Sequence, residues 1–138
     1  GATAAATALL AAAARANYPG AGALLAVPRI AGPAGDGCCA VHVDAAAAMT
    51  GVSLFLQDEP GYAYSKSETV TDFGGFTHLV TARAHAAGFR AAYAEEGFAG
   101  VSPRWPFVRT EPKIFVLEAE SFARRRRARS EAVKAAVP

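Results

Sequence analysis

Apolar residues along this chain fall into runs with different spacing, and the runs mark out its elements. Residues 1–16 are mostly alanine, with Leu9 and Leu10 as the only large apolar groups. Thr3 can cap a helix from Ala4 to about Ala16, which Tyr18-Pro19-Gly20 would end. Ala23 to Ile30 reads as extended, with Pro28 confining it to a sheet edge or coil. Residues 32–37 hold turn formers and predict a loop. Cys38 to Val43 then alternates, with Cys39, Val41 and Val43 on one face of a strand. Asp44 suits the N-cap of a short alanine helix, and Gly51 suits its left-handed exit.

Two further strands are expected at Val52 to Gln57 and at Tyr62 to Val70, joined by a turn at Glu59-Pro60-Gly61-Tyr62. A glycine-hinged loop at Asp72 to Phe76 leads to Thr77, read as the cap of a helix reaching Ala87. Gly88 and Phe89 would form its Schellman-type end. Phe89, Ala91 and Tyr93 alternate as a strand, and Glu95 to Pro112 reads as irregular around Pro103, Pro106 and Pro112. Ile114-Phe115-Val116-Leu117 is an unbroken β-prone run, the mark of a strand covered on both faces. After it Ser121 can cap a helix that carries ARRRRARSEAVKAAV.

The order from Cys38 is β-α-β-β-α-β, so the expected fold is α+β with a ferredoxin-like core over about residues 38–94. To it are added a strand at 113–118, an N-terminal Ala-rich helix and a projecting basic C-terminal helix. Asp44 to Gly51 is short for a crossover between parallel strands. The fallback is an antiparallel sheet with helices on one face. The expected division is an N-terminal arm at 1–37, one α/β domain at 38–119 and the basic helix at 120–138.

Composition fits one domain: 138 residues, 52% of them hydrophobic, although much of that fraction is alanine, which buries little area. No stretch reaches the length of a membrane span. Cys38 and Cys39 are adjacent, and neighbours in a strand point to opposite faces. Two free thiols in a reducing intracellular compartment are therefore expected. The acid-free, alanine-rich first 35 residues leave an organelle interior, mitochondrial or plastid, open.

Charge is unevenly spread. From Arg124 onward six basic side chains face one acid, whereas the chain before it has eight bases and eleven acids. Arg124, Arg125, Arg126, Arg127 and Arg129 surround the helix, with Arg126 and Arg129 on the side of Phe122. Such a block suits structural RNA, an anionic membrane surface or an acidic protein partner. The plainer alternative is a solvated helix whose arginines pair with Glu118, Glu120 and Glu131. Arg104, Trp105, Phe107 and Arg109 interleave aromatic rings with guanidinium groups between prolines. That pattern suits stacking on a base or anchoring in a partner's groove, or equally a loop folded over the sheet.

Catalytic signals are weak. His78 and His85 would lie seven apart on one helix, too far to share a metal, and His42 stands alone on a strand. Neither cysteine sits at an expected helix N-terminus, where a thiolate would be favoured. Gly74-Gly75 lacks the frame and lysine of a phosphate loop. No catalytic residue, metal or cofactor is assigned. The leading expectation is a non-catalytic accessory subunit of a large multi-protein or ribonucleoprotein complex. The alternative is a small α/β enzyme with a sheet-surface pocket that uses His42 and Glu118.

Overall fold

The computed structural model describes residues 1–32, 38–52 and 60–137. Over these the chain forms α1 (Ala2–Ala16), α2 (Pro19–Ala31), β1 (Cys39–Val43), α3 (Ala45–Met49), β2 (Tyr62–Ser65), β3 (His78–Thr81), β4 (Phe89–Val101), β5 (Val108–Ala119) and α4 (Glu120–Ala136). The α+β class expected from the sequence holds. The sheet has five strands in the order β2-β1-β3-β5-β4. β1 runs parallel to β2 and β3, and β5 runs antiparallel to β3 and β4.

One face of this sheet builds the core. Pairing places Val43, Val80 and Val116 side by side, with Val41 and Ile114 on the same face one step of two away. Ala23, Leu24 and Val27 of α2 close over them. Ala23, Leu24, Val27 and Ala31 are all buried, at spacings that repeat with a helical period. The extended reading of Ala23 to Ile30 is thus corrected. Pro19 at the first helical position favours the start, and Pro28 sits near the end, where Gly32 N–H reaches back to its carbonyl at 3.1 Å. Gly20 is held tightly there, because a Cβ would stand 2.2 Å from the Ala47 carbonyl oxygen. α1 has no buried residue, and its contacts with the sheet are to β4 and β5.

The ferredoxin-like detail is not what is found. Thr77 to Ala87 is not a helix: His78–Thr81 forms a strand between β1 and β5, and all four of its residues are buried. Tertiary pairing there outweighs the helical propensity of the alanines that follow. Asp44 caps α3 as expected, accepting from Ala47 N–H at 2.8 Å. Its second oxygen accepts from the Thr81 hydroxyl at 2.6 Å and so ties the ends of β1 and β3 together. The strand expected at Val52 to Gln57 falls largely outside the described residues, and Val52 itself is in no strand. The return strand shrinks to Tyr62–Ser65 and is parallel to β1.

Residues 95–112, read as irregular, are mostly one long hairpin. β4 and β5 pair from Phe89↔Ala119 to Val101↔Val108, with three register shifts. One shift lies where Glu96 faces Pro112, so the proline sits at an irregularity and not in a regular ladder. Pro103 and Pro106 lie in the connecting tip. β5 is central as expected, flanked by β3 and β4. Ser121 does not cap α4: the helix starts at Glu120 after Ala119, with no side-chain cap.

Cys38 and Cys39 are joined in a disulfide, with Cα atoms 3.8 Å apart, which corrects the free-thiol expectation. Cys38 precedes β1, so the pleat does not force the two side chains to opposite faces. Among the described residues no helix is long and apolar enough to cross a membrane.

Candidate functional site

Where β5 ends, pairing brings four chemically active side chains together. Glu118 lies opposite His78 of β3 and Arg90 of β4. Its side chain is fully buried. Arg90 donates to it through Nη2 at 2.6 Å and Nε at 3.2 Å. Arg126 arrives from the second turn of α4, with Nε donating at 3.1 Å and Nη2 standing 3.0 Å from Oε1. Both carboxylate oxygens are therefore engaged by guanidinium groups. Such a group is a fastener between sheet and helix and is not free to act as a base.

His78 completes the cluster. The Thr77 hydroxyl donates to the Ala40 carbonyl at 3.0 Å, so its oxygen accepts from His78 Nδ1–H at 2.9 Å. That leaves Nε2 as a buried acceptor with no hydrogen-bond partner among the described residues, 4.0 Å from Glu118 Oε1. Burial pushes the pKa down to about 4, which Glu118 opposes and Arg126 reinforces. The ring is neutral at pH 7, and Phe122 packs against it in a T-shaped pair with centroids 5.0 Å apart.

His42 does not join Glu118. In register His42 faces Leu79, which faces Leu117, whereas Glu118 pairs with His78, so the two side chains point to opposite faces of the sheet. His42 packs instead against Phe73 and Phe76, each with centroids 5.2 Å away. Burial lowers its pKa, against the pull of Asp44. His85 lies in the segment after β3, where the expected helix does not form.

Near this second face lies a cleft of about 360 Å³, lined by Phe73, Phe76, Phe89, Asp72, Thr71 and Ser121, among others. The expected hinge at Gly74-Gly75 forms part of its wall. There Asp72 Oδ1 accepts from Gly74 N–H at 2.8 Å, and the residue is exposed. Phenyl side chains beside carboxylate and hydroxyl groups suit a ligand with apolar patches and many hydroxyls.

The residues expected to meet a partner fall into two groups at opposite ends of β5. Arg126 belongs to the Glu118 cluster, and Arg124 stands 3.9 Å from Glu120, in line with the solvated-helix alternative. Arg125, Arg127 and Arg129 form no ion pair among the described residues, and a shallow depression opens between Arg90, Arg124 and Arg127. Arg104, Trp105, Phe107 and Arg109 sit at the hairpin tip or beside it, with Trp105 84% exposed and packed edge-on against Phe107. The loop does not fold its aromatics over the sheet.

The chain is 32% identical over 114 residues to an Arabidopsis thaliana protein named Dol-P-Man:Man(7)GlcNAc(2)-PP-Dol alpha-1,6-mannosyltransferase, covering 79% of this chain and 22% of the relative. A Drosophila melanogaster protein of the same name is 38% identical over 68 residues, 46% of this chain and 10% of the relative. The chain thus spans about a fifth or less of the length of these curated relatives. No family model matches it, and no solved structure matches it. The likeness to glycosyltransferases overturns the expected non-catalytic accessory subunit and favours the enzyme alternative, though not its pairing of His42 with Glu118.

Proposed function

We propose that this chain forms a domain of an α-1,6-mannosyltransferase acting on dolichol-linked sugars. The observation that supports this reading most is the 32% identity over 114 residues to the Arabidopsis transferase. In the reaction the bond between mannose C1 and the donor phosphate oxygen breaks, and C1 bonds to O6 of a mannose in the acceptor. Dolichyl phosphate leaves and the acceptor hydroxyl gives up its proton. Glu118, fixed by Arg90 and Arg126, holds α4 to the sheet and takes no part in that proton transfer. The domain's contribution is to hold the acceptor glycan in the cleft of Phe73, Phe76 and Asp72, by stacking on the rings and by hydrogen bonds from sugar hydroxyls to the carboxylate. The setting is an intracellular membrane compartment whose chemistry tolerates the Cys38–Cys39 disulfide, so a reducing interior does not fit.

The test uses membranes containing the protein of which this chain is part, supplied with radiolabelled Dol-P-Man and Man(7)GlcNAc(2)-PP-Dol. The expected product is one mannose longer, and an α-1,6-specific mannosidase removes the label. Failure to extend this acceptor under conditions that support a known transferase overturns the reading. Phe73→Ala and Asp72→Asn should raise KM for the acceptor and leave KM for the donor unchanged.

A further inference from the structure

The hairpin tip between β4 and β5 is built against the usual rule for a soluble surface. Trp105 is 84% exposed, Val101 66% and Phe107 47%, and Pro103 and Pro106 are exposed beside them. The turn is nonetheless ordered by its own bonds. Ser102 N–H donates to the Phe107 carbonyl at 2.8 Å, Arg104 N–H donates to the Ser102 hydroxyl at 3.2 Å, and Trp105 rests edge-on against Phe107. These rings are held outward by the structure of the tip. Arg104 precedes them and Arg109 follows on β5. α1 lies against the same hairpin, with no buried residue and without a charged side chain before Arg15.

We infer that the hairpin tip inserts into the interface of an anionic phospholipid bilayer, with Trp105 and Phe107 among the upper acyl chains and Arg104 and Arg109 at the phosphates. Two features fit this occupant. Tryptophan beside arginine is the composition favoured at the headgroup level, where an amphipathic ring has one end apolar and the other wet. The guanidinium groups complement anionic lipid, while the long aliphatic stems let them stay at the surface as the rings sink. The inference rests on the proposed transferase activity only in expecting a membrane at the place of work.

Trp105 is the chain's single tryptophan, so its fluorescence reports on this tip alone. The 138-residue chain by itself, in which Trp105 is the one fluorescent indole, is mixed with vesicles of phosphatidylcholine, with and without phosphatidylserine. Binding is measured by sedimentation and Trp105 by emission and by quenching with lipids brominated high on the acyl chain. The expected result is a blue-shifted emission, quenching by the shallow bromines, and tighter binding with phosphatidylserine that weakens with salt. Arg104→Gln and Arg109→Gln should each lower binding to the anionic vesicles about fivefold. Phe107→Ala should lower it by roughly tenfold. Sedimentation with vesicles but unshifted, unquenched Trp105 would place the contact elsewhere, for example on the arginines of α4, and overturn the inference. An emission maximum unmoved by any vesicle would do the same. Neither readout requires mannosyl transfer, so a failed transferase assay leaves this result standing, and a failed vesicle assay leaves the transferase reading untouched.

Discussion

Replacing Glu118 by Gln removes one negative charge from the centre of the molecule and changes almost no volume. The wild-type carboxylate accepts from Arg90 and Arg126 through contacts of 2.6 to 3.4 Å and is fully buried. The amide that replaces it presents two N–H donors to guanidinium groups that can only donate. Breaking a buried ion pair by removing one partner costs about 3–5 kcal/mol. Here both arginines are more than a third exposed and can turn toward water. That relief brings the expected loss to about 2–4 kcal/mol. The measurement is urea denaturation followed by circular dichroism, with an unchanged m-value, and a fall in Tm of roughly 6–12 °C should accompany it. Arg126→Gln alone should cost less, because Arg90 still satisfies the acid, and the double mutant should be clearly non-additive. A Glu118→Gln protein within about 0.5 kcal/mol of wild type would refute the claim that this cluster fastens α4 to the sheet.

Three other outcomes follow from the geometry. His78 has a pKa lowered from 6.5 to about 4, so the unfolded chain binds the extra proton first. Its contribution of about 3 kcal/mol is full above pH 6.5 and drains away as pH falls toward 4. The stability of wild type relative to His78→Phe should therefore fall by about 3 kcal/mol across that window, and parallel curves would exclude the assignment. Gly88 has φ +77° and open space where a Cβ would stand, so Gly88→Ala should cost about 1 kcal/mol from backbone strain alone, measured by urea denaturation. The Cys38–Cys39 bridge predicts no alkylation by iodoacetamide in the unfolded, unreduced protein and two adducts by intact mass after reduction; adducts before reduction would deny it.

Strands whose own letters alternate, or whose apolar run is unbroken, were legible in the sequence. β1 and the second half of β5 lie where they were expected, and the acid Asp44 caps the helix assigned to it. β3 was not legible. Its four residues are followed by Ala82, Ala84, Ala86 and Ala87, and the local preference for helix conceals a strand fixed by partners about 37 residues before and after it. α2 was hidden by Pro28, which marks a strand edge in one context and the last turns of a helix in another. The positive φ at Gly88 was expected for a helix end and is found instead in the turn before β4, where Phe89 N–H bonds to the Ala86 carbonyl at 3.1 Å.

The ionic cluster was half legible for a similar reason. Arg126 shares a helical side with Phe122, and Glu118 is an acid at the end of an apolar strand. Those two facts hint that the helix folds back on the strand. His78 and Arg90, though, enter only through strand pairing, which single-residue patterns do not encode. The converse held for the exposed aromatics: Trp105 and Phe107 could be singled out by composition, but only the closed hairpin shows that their surroundings leave them outside the core.

β5 connects the two proposals. Val108 begins it beside the tip, and Ala119 ends it at the cleft, where Phe89 pairs with Ala119. Twelve residues of strand span roughly 35–40 Å, shortened somewhat by the register shifts. A two-stranded ribbon pinned to β3 at one end is stiff enough to keep that separation. Were the ribbon to stand along the bilayer normal with its tip at the phosphates, the cleft would be held well clear of the bilayer, whereas a dolichol-linked donor presents its single mannose at the membrane surface. On the proposed transferase reading, the cleft in that orientation would be too distant for the donor sugar and would take a branch of the acceptor, which the relatives' name gives as nine sugars on a lipid. This is why substitutions at Phe73 and Asp72 should change KM for the acceptor and spare the donor. It is also why removing outer mannoses from the acceptor should erase the difference between those variants and wild type.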